Sequence, residues 1–440
     1  MGCSVSRPST VPTENASAYP PSVQPGIPRL GNTPEGWSRL PLRKLLHKVE
    51  RPAILSDTES YQLITAKRSR GGIVAREILR GNQIRTKTQF YVETGDFLIS
   101  NRQISHGACG VVPASLNRSI VSNEYTAFHT SDALDPRFLN ALSHSVYFQQ
   151  TCFHSSIGVH VEKLVFRLHE WMRWEFDIPP IPQQRRIVAV LDAWDDAIDK
   201  TEQLVVAKMR RYRGLLARYA AAFHNERLEL GELADLVSDR IQPGGIKPDR
   251  SIELENIESE TGRILGSEKV DGDSALRSRF AVGDTLFGKL RPYLRKFARP
   301  DFDGMCSTEI WVLRARSEKL DPALLFYLVQ TPEFNASATK QSGSRMPRAD
   351  WDLVSATPVP CPRDLNCQSK FAGQLSTALD ATQPELVKLD GLRAQKRGLM
   401  QKLLTGEWQL NECFDAFVSM TTGRSDDAAL PLITERLTAH

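Results

Sequence analysis

The segment GDTLFGKL, residues 283–290, has the glycine and lysine spacing of a loop that cradles phosphate groups. In that motif a serine or threonine follows the lysine and holds a magnesium ion, but Leu290 occupies this position. A second segment, GDFLISNR at 95–102, repeats the pattern without the lysine. We therefore interpret residues 283–290 as part of a repeated strand and expect no nucleotide site there.

Histidines, carboxylates and cysteines do not form a catalytic or metal-binding pattern. The nine histidines are scattered, and neither G-x-G-x-x-G nor H-E-x-x-H occurs. The carboxylates of WDDAID, residues 194–199, fall outside the apolar stripe of a predicted helix, which favours solvated or partner-facing charge. Seven cysteines without a C-x-x-C pair argue against a disulfide framework and a thiolate zinc site, and they fit a reducing cytoplasm.

Arginine and lysine are the residues whose clustering indicates a function. Residues 43–87 contain 11 Lys and Arg against four acids, and residues 277–299 contain seven against one acid. Such clusters suit phosphate neutralisation, and arginine suits bidentate contacts with guanine. A solvated basic surface is the alternative for either cluster alone. Two clusters in repeated parts of the chain favour a protein that recognises nucleic acid through two separate binding regions.

Two long amphipathic helices are predicted to lie on each other. Apolar residues in the stretch 178–220 recur at alternating spacings of four and three, as in a helix that buries one stripe on a partner helix. A similar stretch at 358–405 follows 184 residues later, and Pro384 is expected to kink or restart its helix. We predict an antiparallel coiled coil. Its seam is expected to contain Ile187, Leu191, Trp194, Ile198, Val205, Phe371, Leu375, Leu389 and Leu399.

The repeat extends upstream of both helices and defines two modules. Gly95-Asp96 matches Gly283-Asp284, and Leu134-Asp135-Pro136 matches Leu320-Asp321-Pro322. Strand-like and helix-like segments alternate in each module, so the predicted fold class is α+β, with two mixed α/β domains separated by two long helices. The predicted segments are a disordered tail at 1–33, module A at 34–180, a central helix at 181–224, module B at 225–362, a C-terminal helix at 363–407 and a tail at 408–440.

The ordered combination of these elements resembles the specificity subunit of type I restriction–modification enzymes. The resembling residues are GDTLFGKLRPYLRK, SGSRMPRADWDLVSATPVPCP, IPPIPQQRRIVAVLDAWDDAID and AQKRGLMQKLLTGE. The resemblance implies that modules A and B are target recognition domains, each reading one half of a split site in double-stranded DNA. It also implies a non-catalytic subunit whose helices dock two DNA methyltransferase subunits, which in turn bind motor–nuclease subunits. S-adenosylmethionine, ATP and magnesium would be bound by those partners.

The side chains expected to contact DNA come from the two basic clusters and from segments near them. They are Lys67, Arg68, Arg70 and Arg102 in module A, and Lys289, Arg291, Arg295, Lys296 and Arg345 in module B. Two other functions stay open at this point: a coiled-coil scaffold whose two modules bind proteins, and a stand-alone enzyme that acts on DNA. No apolar run approaches the length of a membrane-spanning helix.

Overall fold

The structure is a computed structural model, and it describes residues 28–157, 165–242, 250–269, 275–340, 346–412 and 414–415. Within these ranges the chain forms 24 strands and 11 α-helices. The mixed α/β class and the long central helix predicted from the sequence are confirmed. None of the described helices is both long enough and apolar enough to cross a membrane.

Two compact units make up the chain, and both dividing points lie within long helices. Among the described residues, unit A contains those of 28–199 and 391–415, and unit B contains those of 200–390. Each unit therefore combines one module with parts of both helical regions. The boundaries predicted between modules and helices stay predictions, because the two units do not follow them.

Unit A contains a four-stranded sheet and a five-stranded sheet. Its strands are β1 Ser38–Pro41, β2 Leu46–Val49, β3 Pro52–Ala53, β4 Ser60–Ala66, β5 Ile73–Arg80, β6 Gln89–Tyr91, β7 Phe97–Ser100, β8 Cys109–Val111, β9 Ile120–Ser122, β10 Tyr125–Thr130, β11 Ser156–Ile157, β12 Val165–Phe166 and β13 Glu175–Ile178. The strand orders are β2-β10-β7-β8 and β3-β6-β9-β4-β5, and β1-β13 and β11-β12 form separate pairs. Only β4 and β9 are parallel among these described neighbours.

Unit B also contains one four-stranded and one five-stranded sheet. Its strands are β14 Arg227–Glu229, β15 Ala234–Leu236, β16 Arg240–Ile241, β17 Arg250–Ile252, β18 Glu268–Lys269, β19 Arg277–Phe280, β20 Thr285–Gly288, β21 Phe297–Ala298, β22 Gly304–Ser307, β23 Ile310–Ala315 and β24 Pro358–Pro360. The orders are β15-β23-β20-β21 and β16-β19-β22-β17-β18, with β14-β24 as a separate pair. Here β17 and β22 are the parallel neighbours of the described sheets.

The two units thus repeat the topology of both larger sheets and of the β1-β13 pair, whereas the β11-β12 pair has no counterpart among the described strands of unit B. The Gly-Asp turn before β7 and β20 explains why the repeat is visible in the sequence. Gly95 and Gly283 have φ of +88° and +93°, a backbone region that favours glycine. Asp96 and Asp284 follow, and each carboxylate accepts a backbone N–H three residues earlier at 2.8 Å. The sequence repeat therefore corresponds to a structural repeat.

Short helices cover the sheets, and three longer helices follow the modules. The helices are α1 Leu42–Leu45, α2 Pro136–Ser143, α3 Val146–His154, α4 Leu168–Trp171, α5 Ile181–Ala222, α6 Leu230–Leu233, α7 Pro322–Leu328, α8 Pro332–Ala338, α9 Trp351–Ser355, α10 Leu365–Asp380 and α11 Gln383–Leu404. Asp135 and Asp321 cap the equivalent helices α2 and α7, each accepting a backbone N–H from the first turn.

Within each unit the long helices run antiparallel, as predicted. In unit B the Lys208 ammonium of α5 donates to Glu385 of α11 at 2.8 Å, and the rings of Tyr219 and Phe371 lie 5.4 Å apart. Moving along the contact from Lys208 to Tyr219 on α5, the partner residues run backwards, from Glu385 on α11 to Phe371 on α10. In unit A, Asp195 of α5 forms an ion pair with Lys396 of α11.

The second helical region is interrupted where Pro384 predicts a restart. α10 ends at Asp380 and α11 begins at Gln383, because proline fits the first turn of a helix but not its interior. Gly391 lies inside α11 without breaking it. Among the predicted seam residues, those that are buried are Ile187, Leu191, Trp194, Ile198, Leu375, Leu389 and Leu399. Val205 and Phe371 are half-buried against the core of unit B.

Candidate nucleic-acid interface

Both units carry an equivalent loop directly after the strand that follows the Gly-Asp turn. Loop B, residues 289–296, connects β20 to β21, and loop A, residues 101–108, connects β7 to β8. One turn of 3₁₀-helix, Pro292–Leu294 in loop B and Ile104–His106 in loop A, lies at the same position in each. The two loops are therefore the first candidates for a repeated binding surface.

A glutamate anchors the start of each loop. The Lys289 backbone N–H donates to the Glu309 carbonyl oxygen at 2.9 Å, and the Arg348 guanidinium donates to the Glu309 carboxylate at 2.9 to 3.2 Å. The hydrogen bonds from Arg348, aided by the Arg348 and Lys289 charges, lower the pKa of Glu309. In unit A, Glu124 takes the equivalent position and forms an ion pair with Arg102 at 2.5 Å.

Loop B presents an arginine and an aromatic ring to solvent on a strained backbone. Arg291 is exposed, and the Tyr293 side chain is 56% exposed. Arg291 and Arg295 both have φ of +51°, a conformation that costs a non-glycine residue about 1–2 kcal/mol. Loop A has Gly107, with φ of +76°, where loop B has Arg295. Backbone strain of this kind concentrates at functional sites, so loop B is the stronger candidate.

The end of loop B points inward, which differs from the sequence prediction. The Lys296 ammonium donates to the carbonyl oxygens of Leu254 and Ile257 at 2.7 Å each. Burial, the largest cause, lowers the pKa of Lys296. The Arg295 guanidinium donates to the carbonyl oxygen of Gln330 at 3.2 Å. Both cations were predicted to contact DNA, but these contacts use them to hold loop B on the domain.

In unit A three of the four predicted cations lie in the hairpin loop between β4 and β5, residues 67–72, and the fourth, Arg102, lies in loop A. Lys67 and Arg68 are exposed, and neither forms an ion pair within the described ranges. The Arg70 guanidinium instead donates to the carbonyl oxygen of His144 at 2.8 Å. The Ser69 backbone N–H donates to the His106 carbonyl at 2.8 Å and so joins the hairpin loop to loop A. Lys67, Arg68 and Arg102 are thus the accessible cations of this group.

The burial of His144 makes the stability of unit A depend on pH. Burial first, and then the charges of Arg70 and Lys396, lower the pKa of His144 to about 4. The unfolded chain binds a proton at the ordinary histidine pKa, so acid favours the unfolded state. We expect the free energy of unfolding to fall by about 2 kcal/mol between pH 7 and pH 5 from this group alone. Urea unfolding of the wild type and of His144→Gln at both pH values measures this change in the free energy of unfolding. An equal pH dependence of the free energy in both proteins would contradict the prediction.

Several cations of the two basic clusters are used inside the protein. The Arg51 guanidinium donates to Asp96 at 2.6 Å, and Arg277 forms an ion pair with Glu253. Arg345 lies outside the described residues. The density of basic residues in the sequence therefore overstates the basic surface, because part of the charge neutralises buried or half-buried carboxylates.

The segment with phosphate-loop spacing has a different structure. Residues 285–288 form strand β20, and the chain continues into loop B instead of opening an α-helix. Across the residues that the structure describes, no group of three or more His, Cys, Asp or Glu side chains could hold a metal ion.

Sequence reasoning missed three kinds of residue that shape this region. Tyr293 lies between cations in the sequence, at 291 and 295, but it is not among the side chains predicted to contact DNA. Arg348 lies 52 residues beyond loop B in the sequence, so nothing local linked it to Glu309. Gln184 and Gln368 are fully buried at the starts of α5 and α10. Their separation of 184 residues, equal to that of the two helical stretches, was the signal that could have identified them.

Comparison with known proteins finds a relative that matches part of this chain. No protein-family model matches the chain. The specificity subunit of the Escherichia coli type I restriction enzyme EcoDI is 29% identical over 138 residues, which make up 31% of this chain. The chain spans about 30% of that relative's length in this match.

Two solved structures share the fold. The type I restriction–modification S subunit from M. genitalium has a TM-score of 0.51 and 12% identity, with 86% of this chain and 98% of that chain covered. A chain from a structure on the assembly and conformational transition of the type I restriction–modification system has a TM-score of 0.50 and 15% identity, with 86% and 100% covered. The resemblance predicted from the sequence motifs is confirmed by these likenesses.

Proposed function

We propose that this chain is the DNA-recognition subunit of a type I restriction–modification enzyme and does not itself catalyse a reaction. The observation that carries the proposal is the repetition of a complete module, with loops A and B in equivalent positions. Two equivalent binding domains suit a DNA site in two halves, with one module per half-site. The likeness to the EcoDI specificity subunit supports the same function.

Accessible cations of each module would contact DNA in two ways. In unit B, Lys289 lies at the base of loop B beside Glu309, and its ammonium suits a phosphate contact. Arg291 is exposed at the start of the strained turn, and its planar guanidinium suits the edge of a guanine. In unit A, Lys67, Arg68 and Arg102 are the corresponding candidates. Lys296 and Arg295 are left out because both bind carbonyl groups of the protein.

The long helices would hold the protein partners. Leu204 and Val206 of α5 are 42% and 56% exposed, and Val387 of α11 is 62% exposed, all within unit B. Apolar side chains exposed on a helix suit a protein partner. We propose that two DNA methyltransferase subunits dock on the helices and that motor–nuclease subunits join through them. S-adenosylmethionine, ATP and magnesium would be bound by these partners, and the complex would work in the cytoplasm.

Replacing Arg291 by alanine is expected to relax sequence preference at one base pair of one half-site. The loss should be about 1–3 kcal/mol of discrimination at that position, whereas Lys289→Ala should weaken all sequences alike and reduce the salt slope by about one. Filter binding of the complex assembled with its methyltransferase subunit, at several salt concentrations, measures both effects.

A matched control is Arg316→Ala. Arg316 is also accessible, but it lies at the far end of β23 from Glu309 and donates to Asp235 at 2.6 Å. Its loss should leave DNA binding unchanged. Equal effects of Arg291→Ala and Arg316→Ala would remove loop B from the interface. If the complex bound no DNA and the chain instead bound other proteins, the scaffold function would replace the proposed one. Methyl transfer to DNA by the purified chain alone would show that the chain is an enzyme.

A further inference from the structure

The starts of α5 and α10 carry the same buried hydrogen-bond arrangement. In unit A the Gln184 side-chain oxygen accepts the Asp135 backbone N–H at 2.8 Å, and its amide donates to the carbonyl oxygens of Ala133 and Pro179 at 2.8 and 2.7 Å. Gln184 has no exposed surface. One side chain thus joins the helix, the proline-rich segment before it and the turn that begins α2.

Unit B repeats the same three hydrogen bonds. The Gln368 side-chain oxygen accepts the Asp321 backbone N–H at 2.7 Å, and its amide donates to the carbonyl oxygens of Lys319 and Pro362 at 2.9 and 2.7 Å. Gln368 is also fully buried. The repeated Leu-Asp-Pro and proline-rich segments of the sequence therefore meet at one glutamine in each unit.

We infer that Gln184 and Gln368 are positioning residues that fix the angle at which each module leaves its helix, and so determine which spacing of half-sites the subunit accepts. Each glutamine uses both amide hydrogens and its side-chain oxygen on backbone groups that belong to the module side of the junction, and the Gln368 amide also lies 3.5 Å from the Cys361 sulfur. Backbone groups buried without partners are costly, so the glutamine restrains the junction in one arrangement. This inference rests on the proposed function, because it concerns the split DNA site.

Shortening the side chain should loosen the junction while keeping its chemistry. Asparagine has the same amide but one methylene fewer, so Gln184→Asn cannot reach all three backbone partners. With the assembled complex, methylation of duplexes whose half-sites are one base pair closer or farther apart should rise about tenfold relative to the native spacing. Gln368→Asn should have the same effect, since its contacts are equivalent.

The control is Gln149→Asn. Gln149 is equally buried, but its amide donates to the Ser143 carbonyl oxygen within module A, away from the helix junction. This variant should lower the melting temperature and keep the wild-type spacing ratio. A Gln184→Asn protein that is folded and also keeps the wild-type ratio would overturn the inference.

A second readout tests the junction itself, separately from the proposed function. Hydrogen exchange of the free chain should become faster for amides of residues 133–137 in Gln184→Asn and of residues 319–323 in Gln368→Asn. If the wild-type complex methylated no split site, the proposed function would be disproved, but the positioning role would not. Unchanged exchange in both variants would disprove the positioning role, whatever the DNA result.

Discussion

Replacing Asp284 by alanine is expected to lower the free energy of unfolding of unit B by about 3 kcal/mol. Asp284 is 2% exposed, and its carboxylate accepts two hydrogen bonds from the Arg314 guanidinium at 2.7 Å each. It also accepts the Ala281 backbone N–H at 2.8 Å, which holds the turn before β20. The substitution removes all three bonds together, and urea unfolding followed by circular dichroism measures the loss.

Asp301→Ala is the control for this prediction. Asp301 lies in the same module and is exposed, so its loss should change stability by less than about 0.5 kcal/mol. A loss below about 1 kcal/mol for Asp284→Ala would show that the Gly-Asp turn does not depend on the buried carboxylate.

The second large effect is expected at the helix seam. Leu375 on α10 is 1% exposed and belongs to the main core of unit B. Leu375→Ala should lower the free energy of unfolding by about 3 kcal/mol, because it removes buried apolar surface and leaves a cavity. Leu365, on the same helix, is 40% exposed, so Leu365→Ala should cost less than about 1 kcal/mol. Similar losses in both variants would mean that the seam does not bury α10 as described.

Features determined by neighbouring residues were predictable from the sequence. The Gly-Asp turns follow from glycine's access to positive φ at Gly95 and Gly283, and so the repeat could be found before the structure. The long helix α5 follows from its apolar stripe, and the break before α11 follows from Pro384. These signals depend on a few adjacent positions and survive without tertiary context.

Directions of side chains were not predictable, because they depend on groups far away in the sequence. Lys296 and Arg291 are equally basic in the sequence, but only Lys296 finds two carbonyl oxygens, from a segment about 40 residues earlier. Arg348 reaches Glu309 because the chain returns beside loop B, with Leu290 and Arg348 forming an isolated β-bridge. The sequence could thus indicate which loop forms the candidate site, but not which side chains of that loop are accessible.

The most direct test of the central claim is the sequence motif methylated when this chain is combined with the methyltransferase subunit proposed as its partner. We predict a split motif, two specified half-sites separated by a fixed number of unspecified bases, that disappears without this chain. Arg291→Ala in loop B should relax one half-site and leave the other unchanged. A continuous motif, or methylation that does not depend on this chain, would contradict the account.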